Sequence, residues 1–265
     1  MRKLAILMGL LLILAVGVLP AAAITWGTLD TEHTNVGAMV IDHPDYGPYQ
    51  WCSGTLIHER VFLTAGHCTE GFEDGTITVW VNFDQYALEK KGLLDVAQVI
   101  THPDYNWGPT SNPHDVAVLI LEKPVKKRIK PANLPYEGFL DDLMAAGELR
   151  HGSEGAEFTL VGYGGLLDWP PPQISYDDYR RFAESEYQTL LKAWLRMSQN
   201  QATCDGGTCF GDSGGPAFWT EPDGTEILVG ITSWGDANCV ATGFNYRVDI
   251  PETLSFIEDV IADLE

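Results

Sequence analysis

Along this chain the apolar positions either alternate with polar ones or form short unbroken runs, and turn formers separate the runs. They alternate from Ile77 to Val81, they are continuous from Val116 to Leu121, and the runs Phe158 to Gly162 and Ile227 to Ile231 each reach a glycine. Alternation marks a strand with one face buried, and a short continuous run marks a strand buried on both faces. His43-Pro44-Asp45, Pro103-Asp104, Asn112-Pro113 and Pro222-Asp223-Gly224 supply the turns between them. A helical period appears in Thr253 to Leu264, where Leu254, Ile257, Val260, Ile261 and Leu264 share a face. The pattern predicts an all-β chain of two barrels, the second beginning near Pro135, with a short C-terminal helix packed on the second barrel. Between Asp168 and Asn200, three prolines are followed by Tyr176 to Phe182 and a mixed apolar and polar stretch. The pattern there does not choose between helix and hairpin.

The first residues differ. Met1-Arg2-Lys3 precedes an apolar run from Leu4 to Leu19, then Pro20 and Ala21 to Ala23. A basic start, a short apolar core and small residues before a cut read as a secretory signal over residues 1–23, which implies a secreted, extracellular protein. The run is shorter than a comfortable membrane span, and no other stretch is long and apolar enough to cross a bilayer. An uncleaved anchor is the alternative. Residues 24–265 suffice for two small domains with cores of their own, divided as 24–134 and 135–265.

Charge narrows the partners. Sixteen Lys and Arg against 37 Asp and Glu give a formal net charge of −21. Such a surface repels nucleic acid and anionic membranes, so neither is expected as a partner. Lys126 to Lys130 is a basic run in this acidic chain and reads as a solvated connection between domains rather than a binding patch. The acidic clusters Glu70 to Asp74 and around Asp84 have the oxygen ligands calcium uses, but solvated charge is the simpler reading. No HExxH and no Cys–His spacing suggests zinc, so no metal and no cofactor are expected.

The candidate chemistry centres on Cys209 to Pro216, Cys-Phe-Gly-Asp-Ser-Gly-Gly-Pro, with Ser213 in the middle. Glycines on both sides let the backbone turn tightly and leave room for a carbonyl to approach. A serine hydroxyl is a weak nucleophile until a base takes its proton and backbone N–H groups stabilise the oxyanion. Gly211 to Gly215 fits the G-x-S-x-G elbow, but elbow hydrolases carry their histidine after the serine. All seven histidines here (His33, His43, His58, His67, His102, His114 and His151) precede Ser213. The order His, Asp, Ser remains, and two stretches fill it: Thr64-Ala65-Gly66-His67-Cys68 after the apolar Val61 to Leu63, and Asp115 at the head of Val116 to Leu121.

At these places the chain resembles the trypsin-like (chymotrypsin-fold) serine peptidases, which carry their nucleophile in GDSGGP, their base in TAGHC and their acid just before an apolar strand. Ser233-Trp234-Gly235 is a fourth match, standing where the family pairs a strand with substrate. The resemblance spans residues 24 to 250 and implies two six-stranded antiparallel Greek-key barrels with the active site between them. It makes His67 the general base, Asp115 the group that holds its tautomer, Ser213 the nucleophile, and the N–H groups of Gly211 and Ser213 the oxyanion hole. Taken singly, each motif has a plainer reading as a turn, a core histidine or a strand-capping aspartate. Their joint presence in one order carries the catalytic reading.

The resemblance implies more. Cleavage after Ala23 would free Ile24, whose ammonium would pair with Asp212 and order the oxyanion loop, so that signal removal itself activates the protein. Cys52 would bridge Cys68, and Cys209 would bridge Cys239, which requires an oxidising compartment. Cys204 is left over and reads as a buried free thiol. Gly207 stands where the family places the residue at the base of the primary pocket, with Thr208 beside it; Gly235 and Gly243 match wall positions. With no charge at Gly207, cleavage after Lys or Arg loses its driving force, and a deep neutral pocket implies Phe, Tyr, Leu or Met by burial of apolar area, with acidic or small residues as the alternatives.

Together these readings describe a monomeric serine endopeptidase that acts on polypeptides through an acyl-enzyme and is open to protein inhibitors. The alternatives are a catalytically silent binding protein on the same fold, which would be expected to lack a triad member, and a regulatory protease acting on one partner.

Overall fold

The computed structural model describes residues 24–108, 111–152, 156–168 and 173–264; the expected signal at 1–23 lies outside them. In chain order the strands and helices are β1 (Thr28–Leu29), β2 (Val36–His43), β3 (Gly47–His58), β4 (Val61–Thr64), β5 (Val79–Asn82), β6 (Leu93–Thr101), β7 (Ala117–Leu121), α1 (Phe139–Ala146), β8 (Glu157–Gly162), β9 (Leu166–Asp168), β10 (Gln173–Ser175), β11 (Arg181–Leu190), β12 (Trp194–Ser198), β13 (Pro216–Thr220), β14 (Glu226–Gly235), β15 (Thr242–Arg247) and α2 (Pro251–Ala262).

The strands close into two six-stranded antiparallel barrels. The first runs β2-β3-β4-β7-β6-β5 and returns to β2. The second runs β8-β11-β12-β15-β14-β13 and returns to β8. Each run of the hydrophobic pattern supplies a wall. The continuous Ala117–Leu121 is buried on both faces between β4 and β6, and Phe158 to Val161 are buried between β11 and β13. Closure removes the free edges that would otherwise invite pairing with other chains.

Residues 24–29 precede the first barrel but belong to the second: β1 pairs with β11, and Ile24, fully buried, joins the apolar cluster of Leu160, Leu195, Met197 and Ala217. The stretch from 168 to 200 is strand where it is described, with β9 paired to β10 and β11 to β12.

The terminal helix corrects one expectation. α2 does not pack on the second barrel alone: the Phe256 ring lies 5.0 Å from that of His102, just beyond β6 of the first barrel. Phe256 and Ile257 lie in an apolar cluster shared by residues of both barrels, because the apolar face of the helix spans the seam. α1 was not read from the pattern at all. It lies between Gly138 and Gly147, both left-handed, with Asp141 and Asp142 in its first turn and Leu140 and Leu143 on its buried face.

Candidate active site

β4 ends at Thr64, and the chain turns through a short 3-10 segment, Gly66–Cys68, that holds His67 at the mouth of the cleft. The apolar run that becomes β7 starts just after Asp115, so the two residues meet where β4 and β7 pair. The His67 backbone N–H donates to Asp115 Oδ1 at 2.8 Å, and His67 Nδ1 lies 3.0 Å from Oδ2 and 3.1 Å from Oδ1. Asp115 is fully buried. Burial pushes its carboxyl up, but the hydrogen bond and charge of His67, the Ser233 hydroxyl and the His67 amide outweigh it and hold it below the ordinary range. An ionised carboxylate only accepts, so Nδ1 carries a proton, and the tautomer this selects for the neutral ring is the one with its lone pair on Nε2. Ser233 Oγ also donates to Asp115 Oδ2, so the residue next to Trp234 also orients this carboxylate.

The Ser213 loop is clamped between the barrels. Ser53 of β3 donates its N–H to the Ser213 carbonyl at 2.8 Å, and Gly214 donates to Thr232 of β14 at 2.8 Å. Gly214 has φ +84°, and a Cβ there would stand 2.0 Å from Thr64 Oγ1. No side chain fits. Gly211 has φ +96°; its carbonyl accepts from Gln50 Nε2 at 2.9 Å and Ser53 Oγ at 3.0 Å. Gln50 and Ser53 were not singled out in the sequence, because each acts on a loop about 160 residues away.

Asp212 is fully buried. It accepts from the backbone N–H groups of Gly164 and Cys209, each at 2.8 Å. Burial pushes its carboxyl up to about 7, and the two amides only partly oppose this. No side-chain cation pairs with it among the described residues. Next to Ile24, Thr25 exchanges backbone hydrogen bonds with Gly207 at 2.7 and 3.0 Å, which anchors this segment beside the pocket.

His67 and Ser213 open into a cavity of about 420 Å³ whose far walls include Thr208, Ser233, Trp234 and Gly235. Gly207 and Gly243 do not line it. Trp107 also lines the cavity, its ring 5.5 Å from that of His67. Trp234 stacks on Phe244 at 3.8 Å. On the other side of Ser213, a cleft of about 310 Å³ is bordered by Gln50, Trp51, Phe210 and Tyr176, the last from the stretch after the three prolines.

Both bridges are present, Cys52–Cys68 and Cys209–Cys239, with Cα atoms 6.2 and 5.3 Å apart. They tie the His67 loop to β3 and the Ser213 loop to the segment after β14. Cys204 departs from the expectation of burial: it is exposed, capping the 3-10 turn Gln201–Thr203 in the left-handed conformation with its N–H on the Gln201 carbonyl.

Known proteins resemble this chain over most of its length. The family model for trypsin matches residues 26–257. The chain belongs to the trypsin family of serine endopeptidases. It is 30% identical to a trypsin of Phaedon cochleariae over 223 residues, covering 75% of this chain and 76% of that one. To a trypsin of Saccharopolyspora erythraea it is 30% identical over 201 residues, covering 73% and 79%. To vitamin K-dependent protein C of Mus musculus it is 29% identical over 236 residues, covering 80% of this chain but 46% of that protein. The chain therefore spans about half the length of that larger relative. No helix among the described residues is long and apolar enough to cross a membrane.

Proposed function

We propose that this chain is a secreted serine endopeptidase that hydrolyses peptide bonds through His67, Asp115 and Ser213. The observation that carries the reading is the doubly hydrogen-bonded contact of His67 with the buried Asp115 at the edge of the cleft that holds Ser213. In this mechanism His67 Nε2 takes the Ser213 hydroxyl proton as Oγ attacks the substrate carbonyl, and Asp115 stabilises the imidazolium. The Gly211 and Ser213 amides hold the oxyanion. Collapse passes the proton to the leaving amine and leaves an acyl-Ser213 ester, which water, activated by the same His67, then hydrolyses. The Gly211 carbonyl, held by Gln50 and Ser53, keeps the oxyanion loop turned for this role.

The reading includes removal of residues 1–23 and entry of the Ile24 α-ammonium beside Asp212, a buried carboxylate whose only described partners are two amides. It also includes a neutral primary pocket, since no charged side chain stands at Gly207 or Thr208.

The test is hydrolysis of a peptide panel by the secreted, disulfide-intact protein, with Ser213→Ala as control and N-terminal sequencing of the product of secretion. Turnover, fluorophosphonate labelling of Ser213 and a chain starting at Ile24 are expected. The variant should lose about 10⁶ in kcat. Failure of both turnover and labelling in the protein that starts at Ile24 would leave a silent binding protein on this fold.

A further inference from the structure

Behind the wall of the primary pocket lies a side chain that none of the motifs includes. Gln199 follows β12 and is 1% exposed. A Cβ on Gly207 would stand 2.2 Å from its Cγ, and one on Gly243 2.7 Å from its Nε2. The carboxamide therefore fills the space these two glycines leave, which is why neither lines the cavity.

Its orientation is fixed by hydrogen bonding. Nε2 donates to the Thr208 carbonyl at 2.9 Å and lies 3.0 Å from Thr208 Oγ1. A carbonyl oxygen only accepts, so the NH₂ must face it and Oε1 must point elsewhere. Oε1 is buried and has no hydrogen-bond partner among the described residues. It lies 3.7 Å from where a Cβ on Gly235 would stand, on a wall of the cavity. Buried acceptors are rarely left unpaired, because the unmade bond is costly. Gln199 itself does not line the cavity, so Oε1 stands just behind the Gly235 wall rather than on its surface.

We propose that Gln199 determines primary specificity: it makes the pocket shallow and backs its Gly235 wall with an unpaired hydrogen-bond acceptor, which a substrate donor reaches as that wall adjusts. Substrates are then cut after short side chains, and among these after the donors Ser, Thr and Asn in preference to apolar residues of the same size. This rests on the peptidase reading above. It replaces the expectation of Phe, Tyr, Leu or Met, which treated Gly207, Gly235 and Gly243 as bordering empty space. Lys and Arg remain disfavoured, because they are too long for the pocket and the carboxamide carries no charge; Glu70 and Asp236 also border the cavity, but the Asp236 carboxylate is taken up by the backbone N–H groups of Asn238, Val240, Ala241 and Thr242.

The test is kcat/KM on peptides that differ only in the residue before the scissile bond. The wild type should favour Thr over the isosteric Val, and Asn over Leu, by roughly tenfold each, with Phe and Tyr poorest. Gln199→Ala deepens the pocket and should raise Phe and Leu relative to Thr by roughly tenfold to a hundredfold. Gln199→Met keeps the length without the acceptor, so it should still reject Phe but lose the preference for Thr over Val. Peptides that end in Thr, Val or Phe, titrated calorimetrically into the Ser213→Ala protein, rank the same pocket without turnover. They separate failure of this inference from failure of the peptidase reading. A wild type that prefers Phe, Tyr or Leu overturns the proposal, as does tighter binding of the Phe-ended peptide. Equal use of Thr and Val overturns the role of Oε1.

Discussion

Arg180 Nε donates to Asp30 Oδ2 at 2.8 Å, and both side chains are almost fully buried. The pair joins the segment that follows Ile24 to the start of β11. The same guanidinium donates from Nη1 to the carbonyls of Val36 and Phe83, at 3.1 and 3.0 Å, and to Tyr163 Oη at 3.1 Å. One cation therefore fastens the N-terminal segment and both barrels together. A buried pair of this kind is weak evidence for net stability, but breaking it strands a charge.

Arg180→Met should for that reason destabilise the protein by about 3 kcal/mol or more, since it leaves Asp30 with His33 as its one charged partner among the described residues and takes a donor from the buried carbonyls of Val36 and Phe83. For a chain of this size the midpoint of thermal unfolding should drop by roughly 10 °C. Asp30→Asn in the same chain should restore part of the loss. Calorimetry of the single and double variants checks this. A single variant as stable as the wild type would show that the pair fastens nothing.

His33 makes the same cluster sensitive to alkali. Its Nδ1 lies 2.9 Å from Asp30 Oδ1 and its Nε2 2.9 Å from Glu226 Oε1. Burial pushes the imidazolium down, but these two hydrogen bonds and the charges behind them overcome it and raise the pKa to about 9. A group whose pKa is raised by folding contributes fully below its unfolded value, near 6.5, and loses that contribution as pH rises through about 9. After allowance for solvent at Glu226 the contribution is of the order of 2 kcal/mol. Stability measured in denaturant between pH 6 and 10 should fall by about that much in the wild type and by less in Glu226→Gln. Equal pH slopes in the two proteins would refute the assignment.

What could be read in the sequence, and what could not, follows from the distance over which each residue acts. His67, Asp115 and Ser213 each stand within a few residues of a strand end or a glycine turn, and such local surroundings leave a motif. The barrels were legible for the same reason, since alternation in one strand reports its burial. Arg180 and Gln199 carry no such mark. Arg180 matters through Asp30, 150 residues away, and Gln199 through Gly207 and Gly243, on separate segments. Only the closed second barrel brings those segments together. α1 was legible in principle, because Leu140 and Leu143 repeat at helical spacing between two glycines, but at eight residues it is short enough to pass for a loop.

Ser53 offers a test of how the oxyanion loop is held. Its Oγ donates to the Gly211 carbonyl and accepts from the Tyr163 N–H at 3.1 Å, in a fully buried position. Ser53→Ala removes both contacts and should lower stability by about 1 to 3 kcal/mol. Gln50 alone then holds the Gly211 carbonyl, and the preceding amide is less well aimed. Because an oxyanion forms only in the transition state, kcat should fall roughly tenfold with KM little changed, and Ser53→Thr should restore it. A rise in KM at constant kcat would instead place Ser53 in substrate binding.

Asp212 should report whether residues remain ahead of Ile24. With two amides as its only described partners, its carboxyl titrates near 7 when folded, against about 4 when unfolded. Between these values the folded state holds a proton that the unfolded state has released, so stability falls as pH rises from about 4 to about 7 and stays low above it. The accumulated cost is of the order of 4 kcal/mol. A freed Ile24 ammonium would pair with the carboxylate and remove this slope. Glu184 and Asp178, whose pKa values are also raised, chiefly by burial, contribute equally to both forms and cancel in a difference. The stability of the protein starting at Ile24, minus that of a chain retaining Ala21 to Ala23, should thus grow from near zero at pH 4 to several kcal/mol at pH 7. Asp212→Asn should flatten it. Parallel curves for the two forms would mean that the terminus does not reach Asp212, and activation by cleavage before Ile24 would fall with it.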